Sequence, residues 1–170
     1  MWPWGHAALG YLLGRASMPV DDGHGPAFVA LLFGTQFPDL VDKPLAWTVA
    51  VLPSGRSLAH SVFALAVVFG VAWWATGRSD RRTYTIGFGI GYASHLFADS
   101  VQSLVGLEFE YLTFLAWPLL APPPYELDSS FSAHFANLNL TAWLWLEFLL
   151  VGVALAVAVW TEYGVRIRSA

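Results

Sequence analysis

Three histidines and three aspartates, His6, Asp39, Asp42, His60, His95 and Asp99, carry the side chains of this sequence best suited to holding a divalent metal. His95 and Asp99 are four apart, so in a helix they share one face about one turn from each other. Asp39 and Asp42, three apart, do the same if their segment is helical. Imidazole nitrogens and carboxylate oxygens form a mixed donor set that suits zinc or manganese better than calcium. Six protein ligands exceed what one open catalytic zinc takes, so the set predicts one or two divalent ions, a carboxylate bridging if two. A bound divalent ion lowers the pKa of water toward neutrality and polarises a phosphoryl or acyl oxygen, which is the chemistry of hydrolysis. Whichever of Asp39, Asp42 and Asp99 does not bind metal is then the general base. Arg56 and Ser61, on either side of His60, are the expected substrate contacts. Taken singly, each residue has a plainer reading. His6 is then an interfacial histidine, Asp39 a helix acid after Pro38, His60 a backbone partner, and His95 with Asp99 a hydrogen-bonded pair between helices. Only joint placement favours a metal site.

The elements that would bring these residues together follow from composition. Charged residues are 12% of the 170-residue chain, about half of the roughly 25% usual in soluble domains. Hydrophobic residues make up 56%, and there is no cysteine. This excludes a disordered chain and a disulfide scaffold. Eight basic residues are too few for a phosphate-tracking surface, so nucleic acid is not an expected partner. The reading is an all-α, polytopic membrane bundle of about five hydrophobic helices, forming a single integral membrane domain over residues 1–170. Ser57–Gly77 has no Asp, Glu, Lys or Arg, and Leu140–Trp160 has only Glu147. Each has about the 20 residues that a hydrocarbon core of about 30 Å requires. Thr83–Leu107 is as long and contains His95 and Asp99, while Trp4–Leu13 and Pro26–Phe37 are shorter apolar runs.

The basic residues orient this arrangement, because cytoplasmic loops are enriched in Lys and Arg. Arg78, Arg81 and Arg82 precede the Thr83 span, and Arg166 and Arg168 follow the last one. With Arg15 they put six of the eight basic residues inside, leaving Lys43 and Arg56 outside. The N-terminus is then outside, the C-terminus cytoplasmic, and the expected location the plasma membrane. No cleavable signal peptide is expected, since a basic n-region and a small-residue cleavage pattern are missing. An outer loop runs from about Glu108 to Asn139, with an interfacial apolar piece at Leu112–Leu120 and prolines in Ala121–Tyr125. Gly10/Gly14 and Gly87/Gly91 have the small-xxx-small spacing that permits close helix approach. In this topology the six candidate ligands converge on the outer side. His24 falls on the inner side, away from them. His134 is an extra ligand, a substrate contact or neither. Glu147 is a supporting partner, a proton carrier or a helix-pairing group.

The order of the motifs resembles a known family. An early His, F-P-D-L-V-D at Phe37–Asp42, R-S-L-A-H-S at Arg56–Ser61 and H-L-F-A-D at His95–Asp99 are similar to those of the membrane-bound, metal-dependent hydrolases, the YdjM-like proteins. The W-P-L at Trp117–Leu119 is similar to a piece that follows in that family. The resemblance covers most of the chain up to about residue 120. The chain departs from it where the second acid comes one position later, at Asp42, and where Gly55 precedes Arg56 in place of a His. More distantly, the order resembles that of zinc phospholipase C and P1-type nucleases, whose later H-x-x-x-E ligands have no match here. The resemblance implies a metal-dependent hydrolase.

A site at the outer interface best reaches lipid head groups, so the expected substrate is a phosphoester of a lipid-like or amphiphilic molecule, with membrane lipid as the partner. Two other readings use the same residues. A small transport or proton-relay protein needs polar groups through the whole bilayer depth, and the inner halves of these spans are nearly free of charge. A non-catalytic membrane protein with a structural metal clamp has the same ligands but no open coordination position.

Overall fold

The computed structural model of the chain describes residues 1–18, 25–79, 81–123, 130–136 and 138–168, the last seven by backbone alone. The turn with His24, part of the Ala121–Tyr125 proline stretch and the side chains of Arg166 and Arg168 lie outside the described residues. Those residues are helical without a strand among them: α1 (Pro3–Ser17), α2 (Pro26–Trp47), α3 (Val62–Thr76), α4 (Arg82–Gly106), a 3₁₀ helix (Phe109–Ala116), α5 (Phe131–Ala136) and α6 (Ala142–Arg168). Pro3 and Pro26 open α1 and α2, where a missing N–H costs nothing.

The α2–α4 pair is the packing centre of the molecule. A Cβ on Gly87 or Gly91 of α4 would collide with the carbonyl oxygens of Ala27 and Leu31 on α2, and one on Gly34 would collide with that of Phe88. The absence of side chains there lets the two backbones touch. Gly10 and Gly14 of α1 likewise abut Thr35 and Leu31. Both glycine pairs singled out by spacing therefore sit in close helix contacts. Leu31 and Tyr92 are fully buried in this seam, and Phe37 meets Phe88 and Tyr92 edge to face or tilted.

Three boundaries differ from the sequence reading. The apolar run from Pro26 does not stop at Phe37, and α2 continues through Pro38 and Pro44 to Trp47, so Asp39 and Asp42 are helical residues. The stretch Ser57–Gly77 is not one helix. Ser61 accepts the N–H of Ala64 at 3.0 Å and starts α3 at Val62, while residues 48–61 form a loop. His60 therefore comes from a loop. The expected outer loop contains two short helices, and its 3₁₀ helix packs on α3 and α4 with Phe114 fully buried.

The outer surfaces of α3 and α6 are apolar. Val67, Val71 and Trp74 on α3 and Leu149, Leu155 and Trp160 on α6 are more than half exposed. Among the described residues one helix, Ala142–Thr161, is long and apolar enough to cross a membrane, while α3 is equally apolar in character but 15 residues long. That is a smaller count than the five spans read from the sequence, because α1 and α3 are only 15 residues long and α2 and α4 dilute their apolar residues with glycine, proline and buried polar groups.

Candidate metal centre

Five of the six candidate ligands meet at one end of the bundle, delivered by the start of α1, the second half of α2, the loop before α3 and the second half of α4. His95 is fully buried, and its Nδ1 lies 2.6 Å from the carbonyl oxygen of Thr35. A carbonyl only accepts, so Nδ1 carries the proton and Nε2 presents its lone pair. Pro38 cannot donate to the carbonyl of Gly34 and its ring crowds that turn, which is where α2 gives up the neighbouring Thr35 carbonyl to a side chain. His60 is arranged the same way, with Nδ1 donating to Asp42 Oδ2 at 2.8 Å. The two Nε2 atoms, each left as an acceptor, then face each other at 3.1 Å. Two lone pairs at that distance in a buried site repel unless a cation lies between them.

The carboxylates complete the cluster. Asp39 Oδ1 stands 3.4 Å from His60 Nε2 and 3.8 Å from His95 Nε2. Asp99 Oδ2 stands 3.6 and 3.8 Å from the same two atoms. Ligand atoms on a tetrahedral zinc, each about 2.0–2.2 Å from the ion, are roughly 3.3–3.6 Å apart. The five separations, from 3.1 to 3.8 Å, bracket that range, so shifts of a few tenths of an ångström would let the donor set hold a divalent ion. Two overlapping triads can hold one, His60–His95–Asp99 and His6–Asp39–His95. They share His95, whose single free lone pair serves one ion.

His6 adjoins this set. Its ring stacks on that of His95 with centroids 3.8 Å apart. Its Nε2 lies 3.1 Å from the Met1 carbonyl and 3.3 Å from Asp99 Oδ1, while Nδ1 is buried with no hydrogen-bond partner among the described residues. Three cations pair with these carboxylates: Lys43 Nζ is 2.7 Å from Asp39 Oδ2, the Met1 ammonium is 2.7 Å from Asp99 Oδ1, and Arg56 Nε is 2.9 Å from Asp99 Oδ2, the oxygen that also faces the histidines.

Asp42, expected as a ligand or base, is placed elsewhere. Its carboxylate is fully buried and accepts the backbone N–H groups of Ser57 at 2.9 Å, Ala59 at 2.8 Å and His60 at 3.2 Å, besides the His60 ring. It shapes the loop that carries His60, and both oxygens are in use. Ser61, expected at the substrate, is buried and spends its hydroxyl oxygen as the cap of α3. His134 lies outside the cluster, its ring against Trp2 and Trp47.

A half-open cavity of about 360 Å³ adjoins the cluster, with Arg56, Asp99, Glu108, Tyr111 and Glu147 in its wall. Glu147 is buried and accepts the backbone N–H of Trp2 at 3.1 Å. The sequence left three supports unnoticed. Lys43 lies four residues after Asp39, a spacing that signals a helical ion pair. Tyr92, one turn before His95, donates to the carbonyl of Ala59 and braces the His60 loop. The Thr35 carbonyl gives no side-chain signal at all.

A family model described as YdjM inner membrane protein matches residues 1–167. The chain matches no curated protein and no solved structure. The likeness to zinc phospholipase C and P1-type nucleases therefore rests on the order of residues alone.

Proposed function

The chain belongs to the YdjM inner membrane protein family, and we propose that it acts there as a metal-dependent hydrolase on a phosphoester of a lipid-like or amphiphilic substrate. In this proposal α1, α2, α3, α4 and α6 all cross the membrane, with the N-terminus and the site at the outer face and the C-terminus in the cytoplasm. The observation that carries the reading is the pair of buried, opposed Nε2 atoms of His60 and His95. With both Nδ1 protons committed, this geometry supports reading the two rings as metal ligands.

His60, His95 and Asp99 hold one divalent ion, zinc by donor type and manganese as the alternative. That ion supplies an activated water and a polarised phosphoryl oxygen. Asp39, 3.4 Å from His60 Nε2 and paired on its far oxygen with Lys43, takes the proton of the attacking water and returns it to the departing alkoxide. Asp42 and the Thr35 carbonyl fix the two imidazole rings. Arg56 on the cavity wall meets a phosphoryl oxygen. The wall carries Asp99, Glu108 and Glu147 against Arg56 and the Met1 ammonium, so its acids outnumber its cations and a phosphate would be accepted once the ion offsets that charge.

A structural clamp is the second reading, favoured by Asp39 standing at ligand distance from both histidines. Four protein ligands close a zinc site, and three leave it open. Elemental analysis with turnover of long-chain phosphoesters separates the two. The catalytic reading expects one metal per wild-type chain, none in His95→Ala, and full metal in Asp39→Asn with turnover reduced about 10²- to 10⁴-fold. Metal loss in Asp39→Asn would establish the clamp. Metal-free wild-type protein would dismiss both and leave a proton relay through the same residues.

A further inference from the structure

The polar cavity beside Asp99 adjoins a second one. A slot of about 360 Å³ runs between Phe97 and Val101 of α4 and Leu146, Leu150 and Val153 of α6, with Leu9 of α1 between them. Its lining is almost wholly apolar. Met1, Ala98, Val101 and Trp143 belong to both cavities, so the charged pocket and the apolar slot share a wall. The slot exists because α1 packs against both α4 and α6 and holds them apart. Where the α4 backbone needs no spacer, against α2, glycines bring the helices into contact.

We propose that this slot is the subsite for one acyl chain of the substrate, whose phosphate lies at Arg56. The proposal rests on the hydrolase reading for its head group and adds the tail. From Trp143 to Val153 the slot follows ten residues of α6, about 15 Å at the helical rise, which suits a single extended chain. One slot takes one chain, so a second tail of a two-chain lipid stays in the bilayer. A comparison inside the molecule supports this choice of occupant. The groove between α3 and α4, about 410 Å³ and lined by Leu65, Ala66, Phe69 and Ile90 among others, is equally apolar but shares no residue with the charged cavity. Bulk lipid can fill either groove. Only the α4–α6 slot leads an acyl chain to a place where its head group meets Arg56 and the metal ligands.

The test uses the full chain, zinc-loaded, in phosphatidylcholine nanodiscs, with dodecyl phosphate carrying a photoreactive diazirine near its methyl end. Mass spectrometry locates the adducts. The expected result is adduct on Leu146, Leu150 and Val153 in excess over Leu65, Ala66 and Phe69. Leu150→Trp should lower the slot adduct about tenfold, within the cost of overpacking a fitted site, at unchanged metal content. Ala66→Trp should leave it as in wild type. Equal labelling of both grooves, or labelling indifferent to Leu150→Trp, would mean ordinary lipid contact and overturn the subsite. Turnover keeps the two claims apart. Slot labelling without hydrolysis of any phosphoester sinks the hydrolase and supports the subsite, while metal-dependent hydrolysis without slot labelling does the reverse.

Discussion

The α2–α4 pair and the two apolar helices α3 and α6 solve opposite problems with the same alphabet. α3 buries none of its residues, and Ala142–Thr161 of α6 buries few. Apart from Glu147, which α6 turns to the cavity, their side chains are apolar on nearly every face, which suits a lipid surround. α2 carries Asp39, Asp42 and two internal prolines and α4 carries His95 and Asp99, and they bury ten or so small and polar side chains against each other and α1. An ionisable group in a membrane has to face the bundle interior and find a partner there. The price is legibility: the helices that carry the chemistry are the ones a hydropathy window passes over. Backbone contact through glycine is what makes room for a site whose ligands must sit within 4 Å of one another.

The largest effect expected from this contrast comes from the glycine at its centre. Gly91→Ala puts a methyl group against the backbone carbonyl of Leu31, which no rotamer change relieves. The helices must separate, and His95, one turn further along α4, moves away from the Thr35 carbonyl. A loss of about 3 kcal/mol is expected, the upper part of the range for overpacking, together with loss of bound metal. Thermal unfolding in detergent and elemental analysis report the two parts. A stable Gly91→Ala protein with its metal intact would show that the α2–α4 contact is not what holds the site.

Much of the site was legible from residue type and order. His95 and Asp99 at four-residue spacing share a face in α4, and His6, Asp39 and His60 join them. Two assignments meet a competing use that spacing cannot reveal. Asp42 and Ser61 look like a ligand and a substrate contact, but both are consumed by local backbone: one gathers three N–H groups of a loop, the other caps a helix. Short polar side chains have this alternative wherever a chain turns. The break of the Ser57–Gly77 run at Ser61 was hidden because the loop residues before it, although partly polar, include no Asp, Glu, Lys or Arg to interrupt the run. The slot beside α6 depends on how far α1 props two helices apart, and no single residue announces that.

An intermediate effect tests whether Asp42 acts through His60. Asp42→Asn keeps the shape and loses an acceptor oxygen, so the His60 ring can turn and its Nδ1 proton is no longer fixed. Metal affinity is expected to fall about 10- to 100-fold, as for other groups that orient a ligand histidine. Asp42→Glu would not restore it, since the longer side chain overfills a fully buried position. Competition with a chelator of known affinity measures the change. A loss of all metal would restore Asp42 to the ligands, and an unchanged affinity would reduce it to a loop staple.

The smallest effect is also the sharpest control, because it repeats the first substitution on the other kind of helix. Gly70 of α3 has nothing within 4 Å of where its Cβ would be. Gly70→Ala therefore adds a methyl group to open space and removes a flexible residue from a helix interior. The expected result is a gain of about 0.5–1 kcal/mol, with metal content and turnover as in wild type. The sign is what matters, since one glycine-to-alanine change should wreck the site in α4 and steady the helix in α3. A clear loss at Gly70 would mean that the open face of α3 is covered in the membrane by another helix, from a second copy of the chain or another protein. The contrast between a chemical pair and a lipid-facing pair would then have to be redrawn.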